Sequence, residues 1–180
     1  MLSTKFPYLF LDRDGVINTR LPGQYVKSID DFTFMPDVLK TFPRLANKTS
    51  KIIIVTNQQG VGKELMTYEE LDIVHEFMKA QIEKVGGRID AIFSCTELNA
   101  DKNNCRKPSP AMGMWAKMKF PEIDFTKSMM VGDSASDILF GKHLGMKTVL
   151  MEGKSEDEIP LFKLKPDYSI KNFAKIATFL

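Results

Sequence analysis

Three short apolar runs in this chain stop abruptly at clusters of polar residues and glycine. Tyr8 to Leu11 ends at Asp12-Arg13-Asp14-Gly15. Lys51 to Val55, with four β-branched residues in succession, ends at Thr56-Asn57-Gln58-Gln59-Gly60. Ser128 to Val131 ends at Gly132-Asp133. Runs this short and this apolar read as strands buried on both faces. The segments between them carry helix signals. Pro36-Asp37 opens a helix running to about Asn47. Thr67-Tyr68-Glu69-Glu70 is a capping box, and Leu71, Val74, Phe77, Met78, Ile82 and Val85 follow at helical spacing until Gly86-Gly87 stops them. Ile89 to Ser94 reads as a third strand, and Pro110 begins a helix carrying Trp115 and Met118. Ser136 to Leu144 reads as a helix ending at Gly145. Lys147 to Leu150 and Asp167 to Ile170 read as two more strands, with a short helix last.

Strands alternating with helices imply a doubly wound α/β fold, a Rossmann-like parallel sheet with helices on both faces. In such sheets the ligand sits beyond the carboxyl ends of the strands. The three polar clusters all fall at those ends. Val16 to Met35 is irregular around Pro22-Gly23 and reads as a loop or small flap, so no large cap is expected. With 180 residues, 43% of them hydrophobic and 27% charged, the chain is expected to form one domain over residues 1–180.

The charge balance, 25 Lys and Arg against 23 Asp and Glu, gives a net charge of only +2 with no long basic run. That composition argues against a nucleic-acid or membrane partner. Met1 to Pro7 lacks the apolar core of a signal peptide, so a cytoplasmic monomer is expected. Cys95 and Cys105 are then expected as free thiols or metal ligands rather than as a disulfide.

Asp12 and Asp14, one residue apart after a buried strand, repel each other unless a hard cation with oxygen ligands lies between them, and Mg²⁺ suits such a site. Asp133, at another strand end, supplies a further carboxylate. Thr56, Asn57 and Gln58 offer donors to phosphate oxygens. Arg106-Lys107-Pro108 sets two cations beside a rigid proline, suited to a dianionic phosphate. Gly60-Val61-Gly62-Lys63 is no nucleotide loop, because Glu64 follows where Ser or Thr is needed. His75 and His143 are assigned structural or surface roles, Met112, Met114, Met118, Met129 and Met130 to the core, and Trp115 to packing on the sheet. The acidic run Glu156 to Glu158 reads as a solvated turn.

Together these residues resemble the haloacid-dehalogenase (HAD) superfamily of phosphatases. Phe10 to Asn18 resembles its first motif, Thr56-Asn57-Gln58 its second, Lys107-Pro108 its third, and Val131-Gly132-Asp133-Ser134 through Asp137 its fourth. The four stand in order between about Tyr8 and Met151. Asp12-Arg13-Asp14-Gly15, Thr56 to Gly60 and Cys105 to Pro108 are similar to the branch of heptose-bisphosphate and histidinol-phosphate phosphatases. Polynucleotide 3′-phosphatases are also similar around Arg106-Lys107-Pro108 and Met114-Trp115.

The resemblance implies an essentially capless HAD fold and hydrolysis of a phosphorylated metabolite through an aspartyl-phosphate. It implies Asp12 as nucleophile and Asp14 as general acid and base. Mg²⁺ would be held by Asp12, the Asp14 carbonyl and Asp133. Thr56, Asn57 and Lys107 would bind phosphate, Arg106 and Gln58 would bind substrate, and Asp137 would orient Lys107 or a metal-bound water instead of binding the metal directly. The expected substrate is D-glycero-D-manno-heptose 1,7-bisphosphate. Histidinol phosphate comes next, then a DNA 3′-phosphate or a non-catalytic regulatory role. That branch carries a structural zinc on three Cys and one His. Here Cys95 and Cys105 occupy the outer positions, with Glu97 and Asn103 in place of the other two ligands, so no structural zinc is expected.

Overall fold

In the computed structural model the described residues are 5–100, 104–152 and 164–180; Asn103 and the run Glu156 to Glu158 lie outside them. Six strands form one parallel sheet: β1 (Tyr8–Leu11), β2 (Lys51–Asn57), β3 (Ala91–Cys95), β4 (Ser128–Gly132), β5 (Lys147–Met151) and β6 (Tyr168–Ile170). Their order is β3-β2-β1-β4-β5-β6. The first strand is thus central, and the chain crosses over it to build the second half of the sheet.

Alternation along the strands sorts the core into two layers. Leu9, Leu11, Ile52, Ile54, Met129 and Val131 face one layer with Phe42, Val74 and Met78, whereas Phe10, Ile53, Val55 and Met130 face the other with Met112 and Phe140. The first layer is covered by α1 (Val38–Lys48) and α3 (Tyr68–Lys84), the second by α4 (Ala111–Lys119) and α5 (Ala135–His143). A single turn, α2 (Gln59–Gly62), follows β2. This is the doubly wound arrangement the alternation implied.

The capping box at Thr67 is formed: the Thr67 hydroxyl accepts from the Glu70 amide at 3.1 Å, and Glu70 accepts from the Thr67 amide at 2.8 Å. Gly86 ends the helix at φ +85°. The flap is closed on itself by backbone bonds from Thr19 N to Thr33 O and from Met35 N to Ile17 O, both 2.8 Å. Residues 12–37 otherwise hold only isolated bridges, at Asp14, Asn18 and Phe34.

Two expectations are corrected here. Met114, Trp115 and Met118 are exposed, Met118 at 78%. Only Met112, Gly113 and Ala116 of α4 turn inward, and a Cβ at Gly113 would stand 2.4 Å from Leu144. The small residues therefore select the buried face, leaving the large ones outside. Cys95 and Cys105 form a disulfide, with Cα atoms 5.5 Å apart, instead of standing as free thiols or ligands. Cys95 ends β3 and Cys105 precedes Arg106, so the fold brings both ends of the intervening loop together, which compartment arguments do not register. Glu97 accepts from the Cys105 amide at 2.5 Å.

Candidate active site

The parallel register aligns Leu11 with Ile54 on one side and Val131 on the other. The strands therefore release their polar ends side by side. Asp12 continues the ladder for one more bond, its amide donating to Val131 O at 3.0 Å, and its own carboxylate accepts from the Arg13 amide at 2.7 Å. Lys107 reaches in from the loop after the disulfide. Its ammonium lies 2.8 Å from Asp12 Oδ1 and 2.5 Å from Asp137 Oδ1, and donates to Val55 O at 2.8 Å. Asn57 fixes the backbone at Lys107 from both sides: Lys107 N donates to Asn57 Oδ1 at 2.9 Å, and Asn57 Nδ2 donates to Lys107 O at 3.4 Å.

Asp14 is held by three side chains and stays open to the cavity. It accepts from Asn18 Nδ2 at 2.9 Å, Gln58 Nε2 at 2.8 Å and Arg13 Nη2 at 3.2 Å. Asp133 faces Gly15 across a gap that only glycine leaves: a Cβ on Gly15, which has φ +85°, would sit 2.0 Å from Asp133 Oδ2. Asp137 caps its own helix, accepting from Ser134 N at 3.1 Å and Ser134 Oγ at 2.6 Å. A cavity of about 500 Å³ opens above these groups, with Arg20, Tyr25, Lys63 and Arg106 also in its lining.

The HAD-hydrolase-like family matches residues 104–176. The D-glycero-α-D-manno-heptose-1,7-bisphosphate 7-phosphatase of Mycobacterium bovis is 35% identical over 130 residues, which is 72% of this chain and 68% of that one. The D-glycero-β-D-manno-heptose-1,7-bisphosphate 7-phosphatase of Rhodopseudomonas palustris is 32% identical over 158 residues, 84% of this chain and 86% of that one. This chain belongs to the HAD phosphatases. The fold agrees: the crystal structure of D,D-heptose 1,7-bisphosphate phosphatase from B. bronchiseptica, complexed with magnesium and phosphate, superposes with a TM-score of 0.84 at 28% identity. It covers 95% of this chain and 96% of that one.

The charges of this HAD phosphatase fit a hard divalent cation. Four carboxylates (Asp12, Asp14, Asp133 and Asp137) crowd the site against two buried cations, Arg13 and Lys107. Ligand atoms of Asp12, Asp133 and Asp137 lie within 4.8 Å of one another. Burial and the Asp137 charge push Asp12 up to about 6 against the pull of Lys107. Burial, Asp12 and Asp137 push Asp133 up to about 8, although Arg20 lies 3.3 Å from it. Carboxylates held this reluctantly ionised are the donor set a dication stabilises. Burial also pushes Asp14 up, but the Arg13 charge and the bonds from Asn18, Arg13 and Gln58 outweigh it and hold Asp14 below its ordinary value. Burial opposes the charge on Lys107, while Asp12 and Asp137 hold its pKa above the ordinary value.

The geometry refines several sequence expectations. Asp12, Asp14, Asn57, Arg106, Lys107 and Asp133 converge on the cavity. Thr56 is buried beneath it, its hydroxyl accepting from Gln58 Nε2 at 2.8 Å. Gln58 spends its amide on Asp14 and Thr56 and its carbonyl on Arg13, at 3.1 Å, so it organises the floor. Sequence reasoning assigned no role to Arg13 and only a structural or surface one to His75. Arg13 is fully buried, with Nη1 3.1 Å from His75 Nε2. The available signal was position: His75 falls on the Leu71, Met78 and Ile82 stripe of α3, all buried.

Proposed function

We propose that this phosphatase removes the 7-phosphate of D-glycero-D-manno-heptose 1,7-bisphosphate in a Mg²⁺-dependent reaction. The observation that supports it most is the Asp12–Lys107–Asp137 bridge beside an Asp14 held by three side chains, at the base of a cavity lined with cations. Relatives named for both anomers of that bisphosphate point the same way.

Asp12 attacks phosphorus, and Lys107 fixes the Asp12 carboxylate so that one oxygen stays directed at the cavity. Lys107 also neutralises charge gathering on the transferring group, with Asn57 keeping its loop in place. Asp14 reacts from its protonated form, a minority because Arg13, Asn18 and Gln58 favour the ionised one, and gives that proton to the departing alkoxide. It then accepts one from the water that cleaves the aspartyl-phosphate. Asp12, the Asp14 carbonyl and Asp133 would hold Mg²⁺, which screens the repulsion between the nucleophile and the phosphate dianion. The cations Arg20, Lys63 and Arg106 stand where a second phosphate would extend.

The test is Mg²⁺-dependent phosphate release from both anomers of the heptose bisphosphate, histidinol phosphate and a 3′-phosphorylated oligonucleotide. A preference for a heptose bisphosphate, lost on EDTA treatment and in Asp12→Asn, is the expected result. A preference for histidinol phosphate would overturn the substrate and keep the chemistry.

A further inference from the structure

The most unusual group near the site takes no step in the mechanism above. Arg13 lies between the nucleophile and the acid in sequence, and its side chain is buried completely in the wall of the cavity. A guanidinium has only donors to offer. Its Nη2 meets Asp14 (Oδ2 at 3.1 Å) and Gln58 Oε1, and its Nη1 meets His75. Its Nε has no hydrogen-bond partner among the described residues. The fork is therefore held only at its two outer nitrogens. One of those anchors is Gln58, which also bonds Asp14. The independent anchor is His75, delivered from the buried face of α3.

We infer that His75 is a positioning residue for catalysis: as a neutral acceptor it fixes Arg13, and Arg13 in turn holds the Asp14 carboxylate in the orientation that reaches the leaving group. Since Arg13 can only donate, His75 Nε2 accepts and its proton sits on Nδ1. Burial and the nearby Arg13 charge press in the same direction, keeping the ring uncharged. A charged imidazole would offer Arg13 a second donor and push it off Asp14. The inference rests on Asp14 being the general acid.

That dependence gives a selective readout. kcat/KM follows steps up to phosphoryl transfer to Asp12. An alkoxide leaving group needs the Asp14 proton, whereas nitrophenolate leaves without one. His75→Asn, whose amide stops short of Arg13, is expected to lower kcat/KM for a sugar phosphate about tenfold while leaving p-nitrophenyl phosphate nearly unchanged. His75→Gln, whose carbonyl can reach Nη1, should recover most of that loss. Arg13→Lys, which keeps the charge and loses the fork, should reproduce the His75→Asn pattern and stands in for it if that variant does not fold.

Equal losses on both substrates, no loss on either, or no recovery in His75→Gln would overturn the positioning role. Asp14→Asn is the control. If it too slows both substrates equally, the general-acid reading fails first and for its own reason.

Discussion

At the residue scale, the site depends on atoms that are absent as much as on those present. Gly15 has no side chain where Asp133 needs room, and its φ of +85° disfavours any other residue. Gly15→Ala should therefore displace Asp133 and raise the Mg²⁺ concentration needed for half-maximal activity at least about tenfold, with α-helical circular dichroism retained. Asp12→Asn keeps shape but removes the proposed nucleophile, and is expected to cut turnover by about three orders of magnitude or more, measured as phosphate release from folded protein. That Asp12, Asp14, Lys107 and Asp133 meet at one cavity could be expected from the sequence because the four motifs that carry them stand in order along the chain, not from any one of these residues alone. The pairing of Arg13 with His75 could not, because their meaning comes from each other across 62 residues.

Elements show a different balance. The capping box of α3 was visible as Thr67-Tyr68-Glu69-Glu70 and forms as read. Thr67→Ala leaves the Glu70 amide without its side-chain partner and should cost about 1 kcal/mol, read from urea denaturation midpoints at constant slope. The helix α4 was legible as an element but not in its orientation. Met112, Met114, Trp115 and Met118 are all apolar, so hydrophobicity alone could not say which face turns inward. The contact with Leu144 at Gly113 decides it. The exact strand starts also shifted: β3 begins at Ala91, and Asp90 meets Ile52 through both its amide, which donates to Ile52 O at 2.8 Å, and its carboxylate, which accepts from the Ile52 amide at 2.8 Å.

For the whole molecule, the parallel sheet was legible from alternation alone, whereas the cysteine pair was not. Spacing along the chain carries no information on whether two loop ends meet. Closing so short a loop restricts the unfolded chain modestly, and the Cys95→Ser, Cys105→Ser double variant should lose about 2–3 kcal/mol of stability, seen as an equal shift when wild type is reduced. The buried His75 makes stability depend on pH. Burial, then the Arg13 charge, bring it from 6.5 down to about 3 in the folded chain. As pH falls below 6.5 the unfolded chain takes up this proton first, so the contribution is complete above that pH and fades towards 3. Between pH 7 and pH 5 the wild type should lose about 2 kcal/mol more than His75→Gln, by denaturant titration at each pH.

The strand order also has a temporal side. β1 is made first yet sits between β2 and β4. A nascent chain thus exposes Asp12, the proposed nucleophile, long before the ribosome has produced Asp133 and Asp137. Until β4 inserts, one flank of β1 is an open edge, and Asp12 lacks the two carboxylates that would crowd it. The carboxylate cluster proposed to hold Mg²⁺ is a late product of synthesis, completed by the same strand that seals the core.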